Sequence, residues 1–563
     1  MSMRIGHLAG LRVSWVLAVV LSLVGCKADP DDPAGQAEEL ADPVRRPGAI
    51  ANLQRLYGTV LADNGSDRTA APVKAFADQV ADKLNRAYID NPADSQARLS
   101  MLTLMNEMRE PRTIPALLVA LDWRPEVSEE HAMLAAKTFQ YMDLDDGQKG
   151  EVIEALGAAL GKIRQARPVD NRLRVELIRA LGGLEDPRAA PHLVRVAMAQ
   201  TEEQSFQFNR LAAAALGKLG DAELIEPMIK GLFLFSPSNP AMRMNDVAGE
   251  GLVRIGRPAV APLLALLRGE NEAAKEIAAA YIEAVKARDE QAAAQMSVAQ
   301  ITGGEATYVL GNLGLPEAFE PLLAEAQAGD PDRRVNGSIA LVRLNLGGAE
   351  SQQVKAVLLA AYENAGDGFR GVQRRAQLLA AMRQAYDASY LDFFFAQATS
   401  GDTHPEVRIQ AMLAYALLAT KDESARAKSW LAANEGDAYH TNFQSTAAKS
   451  FEVAESCDED VACYLRMMDD SDAETVRKAA FMLGRLAVGN AEAIAKLTEK
   501  LGAASIEVRL SAVQALDRIA VAGAPAAVEK IEELRRVEEG RAIWTQFSRE
   551  ALPIEARLKV RAS

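Results

Sequence analysis

The chain repeats one unit, in which two short apolar segments are separated by a break that contains glycine or aspartate. In the first segment, apolar residues recur at positions i, i+3, i+4 and i+7, as in Val476, Ala479, Ala480 and Leu483. This is the spacing of one face of an α-helix. The second segment often has proline near its start, where a helix loses least by a missing N–H group. Copies follow one another mostly at about 31–40 residues, the range expected for paired-helix repeats. Clear copies occupy residues 180–197, 215–232, 251–268 and 309–326.

A helix pair of this kind cannot bury its apolar stripe alone, and stacking against neighbouring pairs supplies the missing surface. The composition agrees, because 49% of the 563 residues are apolar and only 5% are aromatic. At one break, Gly220 suits a left-handed helix end and Asp221 the cap of the next helix. We therefore predict an all-α protein, an α-solenoid of about 11–12 helix pairs. The array should occupy residues 91–538, with capping helices at 49–90 and 539–563.

The regular pattern is interrupted at residues 270–304, an insertion rich in alanine, glutamate and lysine that ends at Gly303 and Gly304. Its composition favours helix. Two interpretations remain open for it. It is either an extended helix pair that projects from one face, where it could offer a surface to a partner, or a degenerate repeat.

Three of the first segments begin with a valine–arginine step after an acidic residue. The sequences are Glu406-Val407-Arg408, Glu474-Thr475-Val476-Arg477 and Glu507-Val508-Arg509. Together with the glycine or aspartate break and the proline, these segments resemble HEAT repeats, in particular the compact HEAT-like repeats of the bilin-lyase type. The resemblance covers about residues 93–536 and implies a fold, not an activity. It also implies that the arginine bonds to the adjacent repeat, so Arg408, Arg477 and Arg509 are predicted structural ladder residues.

The N-terminus has the organisation of an export signal. Arg4 and Arg12 precede an apolar run over 13–24, which is too short to span a bilayer comfortably. The run ends in Leu23-Val24-Gly25-Cys26, which resembles the lipobox of bacterial lipoproteins. The resemblance implies a signal peptide over 1–25 and lipidation of Cys26. More than one acyl chain is needed for stable anchoring in a membrane. An ordinary signal peptide with an incidental cysteine is the alternative.

Residues 26–48, after the predicted cleavage site, are rich in aspartate, proline, alanine and glutamate and lack an apolar period. We expect them to form a flexible tether. By the same resemblance, Lys27 stands where an aspartate often retains lipoproteins in the inner membrane. The expected location is therefore the bacterial cell envelope, with the outer membrane favoured over the inner.

Two further cysteines, Cys457 and Cys463, lie close together in the sequence. Outside the cytoplasm they could pair, and no strong metal-binding pattern competes for them. A disulfide would fix the chain near a helix start predicted at Asp458. Two free buried thiols are the alternative.

The sequence contains no recognisable catalytic motif. HExxH, GxSxG, a dinucleotide-binding glycine motif and a complete P-loop are all missing. The formal net charge of −14 argues against nucleic acid as a partner, because affinity for phosphates depends on lysine and arginine. We therefore expect no enzyme, no cofactor, no metal site and no small-molecule substrate.

Residues 387–399 form an aromatic-rich stretch in an aromatic-poor protein. Three consecutive phenylalanines cannot all face one core at 3.6 residues per turn, so at least one should reach a groove, where aromatic side chains anchor partners. A neighbouring helix that covers them all is the alternative. The predicted partner-binding residues are Tyr390, Phe393, Phe394 and Phe395, with Phe233 and Phe235 as a second group.

Solenoids generally bind other molecules over an extended surface. The leading hypothesis is a membrane-tethered scaffold that mediates protein–protein interactions in the envelope, with partners that the sequence does not name. The alternative is a ligand- or carbohydrate-binding accessory module of an envelope enzyme system. Carbohydrate sites usually expose tryptophan platforms, whereas Trp123, Trp430 and Trp544 are far apart in the sequence, which favours protein partners.

Overall fold

The structure, a computed structural model, describes residues 27–122, 129–163, 168–199, 204–433, 440–540 and 546–562. The predicted signal peptide and Cys26 lie outside these residues. The chain divides into two compact units, Met1–Leu193 and Val194–Ser563, and each is described separately.

The first unit consists of successive α-helices. Consecutive first helices of the pairs pack on one another, as α4 does on α6 and α6 on α8. A ninth helix, α9 (Ala190–Ala197), contains the boundary between the units. The helices of the first unit are α1 (Pro33–Glu39), α2 (Arg46–Asp63), α3 (Ala71–Asp90), α4 (Ser95–Met108), α5 (Ile114–Leu121), α6 (Glu129–Gln140), α7 (Asp146–Lys162) and α8 (Pro168–Gly183).

The second unit continues the same alternation of first and second helices. Its helices are α10 (Phe206–Leu219), α11 (Ile225–Gly231), α12 (Asn245–Ile255), α13 (Val260–Leu267), α14 (Glu272–Lys286), α15 (Glu290–Ala293), α16 (Val298–Leu313), α17 (Phe319–Ala326), α18 (Pro331–Arg343), α19 (Gly348–Glu363), α20 (Gly368–Gln384), α21 (Leu391–Thr399), α22 (Pro405–Leu418), α23 (Lys421–Ala433), α24 (His440–Cys457), α25 (Val461–Met467), α26 (Ala473–Leu486), α27 (Ala491–Lys500), α28 (Ile506–Ile519), α29 (Pro525–Gly540) and α30 (Gln546–Ala562).

The predicted all-α solenoid is confirmed. In the described ranges twelve helix pairs follow one another from α4–α5 to α28–α29, with α14–α15 standing outside the series. The first helices stack closely, for example α26 on α28 and α10 on α12. Close stacking needs small residues, and a Cβ added to Gly217 would lie 3.0 Å from the Cα of Gly251 in the facing helix.

Six of the twelve second helices in the described ranges begin with the same local feature. A single 3₁₀ turn, such as Pro187–Ala189 or Ala222–Leu224, precedes the α-helix directly. In three of these turns the capping residue is an aspartate. Asp221, for example, accepts a hydrogen bond of 2.9 Å from the backbone N–H of Glu223. Gly220 adopts a left-handed conformation with φ of 63°, which confirms the predicted helix end. Proline occupies the second or third helical position at Pro191, Pro227, Pro262 and Pro321.

The structure differs from the expected flexible tether at residues 27–48. Residues 33–39 form α1, and α2 begins at Arg46. The Arg46 side chain is buried and donates hydrogen bonds to the backbone oxygen of Leu40, to Asp94 and to Asn91 at 2.7–2.9 Å. These bonds fix the N-terminal helices to the turn between α3 and α4. Burial of a single arginine produces no periodic apolar pattern, so the sequence did not indicate this contact.

The insertion is helical and contacts a short β-hairpin. The all-α prediction did not include this hairpin. Strands β1 (Phe235–Ser236) and β2 (Asn239–Arg243) pair antiparallel. Helix α14 contacts α15, α16 and β2. Only Ala274 and Ala278 are buried in α14, whereas the first helices α18 and α20 bury five residues each and α28 buries six. The insertion is therefore not a regular repeat.

The C-terminal helix α30 does more than the predicted cap at 539–563. It packs on α28 and α29, which end the array, and also contacts α12 and α16, far earlier in the chain. A continuous apolar core of the C-terminal end runs from Val453 to Leu558 and includes the buried Phe547. The second unit is thus closed by contacts between helices that are distant in sequence.

Candidate functional site

The aromatic group of α21 is largely used for internal packing. Tyr390 and Phe394 are buried, with 1% and 0% of their surface exposed. Phe393 is half-buried and meets the Tyr362 ring edge-on at 5.0 Å. Phe395 is half-buried as well, 5.2 Å from the Tyr415 ring. This corrects the expectation for Tyr390 and Phe394, which cannot reach a partner.

Helix α21 accommodates three consecutive phenylalanines because other elements cover it on more than one side. Tyr362 belongs to α19 and Tyr415 to α22. On the remaining side, the guanidinium carbon of Arg426 lies 4.0 Å from the centre of the Phe395 ring, and Arg426 pairs with Asp392 at 2.7 Å. A cation over an aromatic ring is a favourable contact. The alternative interpretation, coverage by neighbouring helices, therefore describes this group better than a groove does.

The second aromatic group connects the hairpin to the insertion. Phe233 is buried, with 1% of its surface exposed, so it too is unavailable to a partner. Phe235 is half-buried and packs on the Tyr281 ring of α14 at 5.2 Å. Arg243 lies over the same ring at 5.0 Å and pairs with Glu305 of α16 at 2.6 Å. Burial raises the pKa of Glu305, and Arg243 opposes this shift.

Helix α14 of the insertion has an apolar face that is only partly buried. Ile277, Tyr281 and Val285 follow one another at intervals of four residues, so they lie on one face of α14. All three are half-buried. In the regular helix α28, the apolar positions Val513 and Leu516 are fully buried. The apolar side chains of α14 are therefore less completely covered than those of α28, although Phe235 and Arg243 lie against Tyr281.

The three predicted ladder arginines behave differently. Arg408 donates a hydrogen bond of 3.0 Å to the backbone oxygen of Ala398 in the preceding pair, as a ladder residue should. Arg477 instead pairs with Glu474 of its own helix, which corrects the prediction for it. Arg509 reaches the C-terminal helix, with its guanidinium 5.4 Å from the centre of the Phe547 ring. Only the first of the three bonds to the adjacent repeat in the expected way.

The buried residue next to Arg477 was not anticipated. Lys478 of α26 has 0% exposure, and its ammonium group donates hydrogen bonds to the backbone oxygens of Ala416, Leu417 and Ala419 at 2.7–3.0 Å. These oxygens end α22, where the helix dipole is negative and carbonyl groups lack partners. Burial lowers the pKa of Lys478 well below its ordinary value, an effect to which Arg485 adds. A lysine next to an arginine in the sequence gives no indication that its side chain is buried.

Cys457 and Cys463 are joined in a disulfide. Cys457 ends α24 rather than preceding a helix start at Asp458, and Cys463 lies in α25, whose cap is Asp460. The bridge therefore connects the two helices of one pair across their turn. Cys26, the predicted lipidation site, lies outside the described residues.

Within the part of the chain that the structure describes, no group of three or more His, Cys, Asp or Glu side chains is placed to hold a metal ion. Among the helices in those ranges, none combines the length and apolar character needed to cross a membrane.

Comparison with known proteins points to the repeat. The model of the PBS lyase HEAT-like repeat matches residues 173–197, which run from α8 through the 3₁₀ turn to the end of α9. No curated protein matches the sequence. The chain is similar to solved structures of the karyopherin Kap121p and of Kap95.

The Kap121p structure bound to Nup53p has a TM-score of 0.45 and 13% identity, over 94% of this chain and 56% of that one. For Kap121p bound to the SUMO protease Ulp1p the TM-score is 0.47 with 14% identity, over 94% and 57% of the two chains. For the Kap95:Nup1 complex the TM-score is 0.40 with 13% identity, over 95% and 77%. The chain thus spans just over half the length of the Kap121p chains. The chain is thus an array of stacked helix pairs that contains a HEAT-like repeat at 173–197.

Proposed function

We propose that this chain is a lipid-anchored, non-catalytic scaffold of the bacterial cell envelope that binds protein partners. The anchoring part rests on the Leu23–Cys26 motif. Residues 27–32 alone separate Cys26 from α1, and a segment of that length reaches at most about 20 Å when extended. A lipid on Cys26 would therefore hold the first unit close to the membrane surface.

The observation that supports partner binding is the apolar face of the insertion. Ile277, Tyr281 and Val285 are half-buried, and α14 stands outside the series of regular pairs. Repeat proteins use such surfaces for contact because a stacked array is rigid and extended. An apolar helix or loop of a partner protein would bury these side chains, as amphipathic helices do in recognition grooves.

Affinity purification from detergent-solubilised membranes tests the scaffold. We expect a protein to co-purify with the wild-type chain and to be lost with Val285→Glu, which places a charge on the proposed surface. Val537→Glu in α29 is the matched control, because Val537 is also a helical valine and is 47% exposed. Circular dichroism should show that both variants fold. If no protein co-purifies with the wild type and a purified glycan binds instead, the accessory-module alternative is correct.

Anchoring has a separate test. Cys26→Ser should move the protein from the membrane fraction to the soluble fraction, and metabolic labelling with palmitate should be lost. Sucrose-gradient separation of the membranes should place the wild type in the outer membrane. Unchanged partitioning of Cys26→Ser would rule out the lipid anchor without bearing on partner binding.

A further inference from the structure

The second unit encloses a cavity of about 280 Å³ between α16, α18, α20, α28 and α30. Ligand clefts in proteins measure about 300–1,000 Å³, so this cavity is near the lower end of that range. Its wall comes from helices in the middle of the unit and at its C-terminal end, because α30 folds back onto α16. It lies apart from the insertion and from the aromatic group of α21.

The wall of the cavity is rich in positive charge. Arg343, Arg518, Arg549 and Arg557 line it, against two carboxylates, Asp517 and Glu550. The Asp517 carboxylate already forms ion pairs with Arg557 and Arg561, at 2.7 and 3.0 Å. Burial lowers the pKa of Arg343 and of Arg518. These guanidinium groups therefore stand in surroundings where a further anion would stabilise them.

Several donors on the wall are not engaged by the protein. In the described ranges, Arg343 makes one hydrogen bond, of 2.7 Å to Asn312 Oδ1, although a guanidinium group has five N–H donors. Over the same residues, Arg549, which is exposed, has neither an ion pair nor a hydrogen bond. The hydroxyl of Tyr386 is buried without a partner in the structure, and Tyr386 is only 6% exposed. Buried polar groups are normally satisfied.

Tyr386 occupies a position that suits glycine better than tyrosine. Its φ of 55° is left-handed, at the helix end where Gly220 and Gly314 stand in other pairs, with φ of 63° and 64°. A Cβ disfavours this conformation. The ring stacks on Phe481 at 4.4 Å, and a Cβ on Gly484 would come within 2.5 Å of the ring. The local structure thus makes room for a tyrosine that forms part of the cavity wall.

We propose that this cavity binds a small molecule that carries an anionic oxyacid group, a carboxylate or a phosphate. Arg343, Arg518 and Arg549 hold the anionic oxygens, because guanidinium forks match the geometry of both groups. Tyr386 donates its hydroxyl hydrogen to the same ligand. This gives a HEAT-like scaffold a small-molecule site that the sequence did not predict, and it is independent of the partner surface on α14.

Calorimetric titration of the full-length protein in detergent tests the site, with inorganic phosphate and citrate as probes and sodium chloride of equal ionic strength as the reference. We expect saturable binding of one of the two probes, and the probe that binds identifies the group as phosphate or carboxylate. Tyr386→Phe keeps the ring on Phe481 and should weaken binding about tenfold, the effect of one hydrogen bond to a charged group. Arg549→Gln should weaken it to a similar degree.

Arg370→Gln is the matched control, because Arg370 is an exposed arginine of α20 outside the cavity wall. It should bind the probe as the wild type does. Tyr386→Phe also separates a ligand role from a packing role, because loss of an unsatisfied hydroxyl should leave the melting temperature equal or higher. If neither probe binds beyond the chloride reference, or if Tyr386→Phe and Arg549→Gln bind as tightly as the wild type, the proposal is overturned.

Discussion

Arg557 donates a hydrogen bond of 2.8 Å to the backbone oxygen of Asn312, although 245 positions separate the two residues. The contact is possible because Gly314 has no side chain, and a Cβ there would clash with the Arg557 side chain. Arg557 also pairs with Asp517 at 2.7 Å. One side chain of α30 therefore joins α16 to α28, and it does so from a buried position.

Replacement of Arg557 by methionine should destabilise the second unit by about 3–5 kcal/mol, because it leaves Asp517 buried beside a single remaining arginine. The free energy of unfolding in urea measures the loss. Arg536→Met is the control, since Arg536 is 73% exposed and pairs with Glu532 at 3.8 Å. Its effect should stay within about 0.5 kcal/mol. Equal losses in the two variants would contradict the anchoring role of Arg557.

The pairing at Asp517 also predicts a dependence on pH. Burial alone would raise the pKa of Asp517, but Arg557 and Arg561 outweigh it and hold the pKa below its ordinary value. An acid with a lowered pKa in the folded state contributes stability above the unfolded pKa of about 4 and loses it as the pH falls.

Urea unfolding at pH 7 and at pH 3 should therefore show a smaller acid-induced loss of stability in Asp517→Asn than in the wild type. The same comparison for Asp392→Asn, whose side chain is 90% exposed, should match the wild type. An unchanged acid dependence in Asp517→Asn would show that this pair does not control the transition.

Lys478→Met should destabilise the protein by about 2–3 kcal/mol. The change leaves three backbone oxygens at the end of α22 without their donor, and unsatisfied buried acceptors are costly. Lys530→Met serves as the reference, because Lys530 is 37% exposed and pairs only within its own helix, with Glu533. Hydrogen exchange should become faster at the end of α22 in Lys478→Met alone. A loss confined to α26 would mean that the lysine does not cap α22.

Phe394→Ala should lower the free energy of unfolding by about 3–5 kcal/mol, because the side chain is fully buried and its removal leaves a cavity. Phe394→Leu, which keeps most of the apolar volume, should lose much less. Partner capture by folded Phe394→Ala protein should equal that of the wild type. Loss of partner without loss of stability would restore the aromatic group of α21 as a contact surface.

Removal of the disulfide should cost about 2 kcal/mol, because Cys457 and Cys463 are separated by only 6 positions and close a short loop. The double variant Cys457→Ser, Cys463→Ser should unfold at the same urea concentration with and without dithiothreitol. The wild type should match it only in the presence of the reductant. A wild type that dithiothreitol does not affect would indicate that the bridge adds no stability.

The repeated helix pairs were predictable because their signals are local. A left-handed glycine at 220, an aspartate cap at 221 and a proline in the first turn of the next helix each act within a few residues. The same holds for the apolar stripe at 476–483, whose spacing is that of a helix. Local chemistry repeated along the chain is sufficient to predict the architecture.

The remaining features depend on contacts that the sequence pattern does not encode. Lys478 is buried because the end of α22 lies against α26, about sixty residues away. The hairpin at 235–243 has turn residues in its sequence, but its strands are too short to give an alternating pattern. Phe394 was misassigned because coverage of α21 comes from three other helices. The cavity exists only because α30 returns to α16.

The return of α30 to α16 also limits how this protein can evolve. Solenoids commonly gain or lose whole repeats by duplication or deletion, because each unit touches only its neighbours. A helix pair added or deleted between Asn312 and Arg557 would move the Arg557 guanidinium away from the backbone oxygen of Asn312. It would also remove the Arg557 side chain from the space left at Gly314. The contact between α30 and α16 thus fixes the number of repeats between them, so homologues of different length should differ outside this stretch.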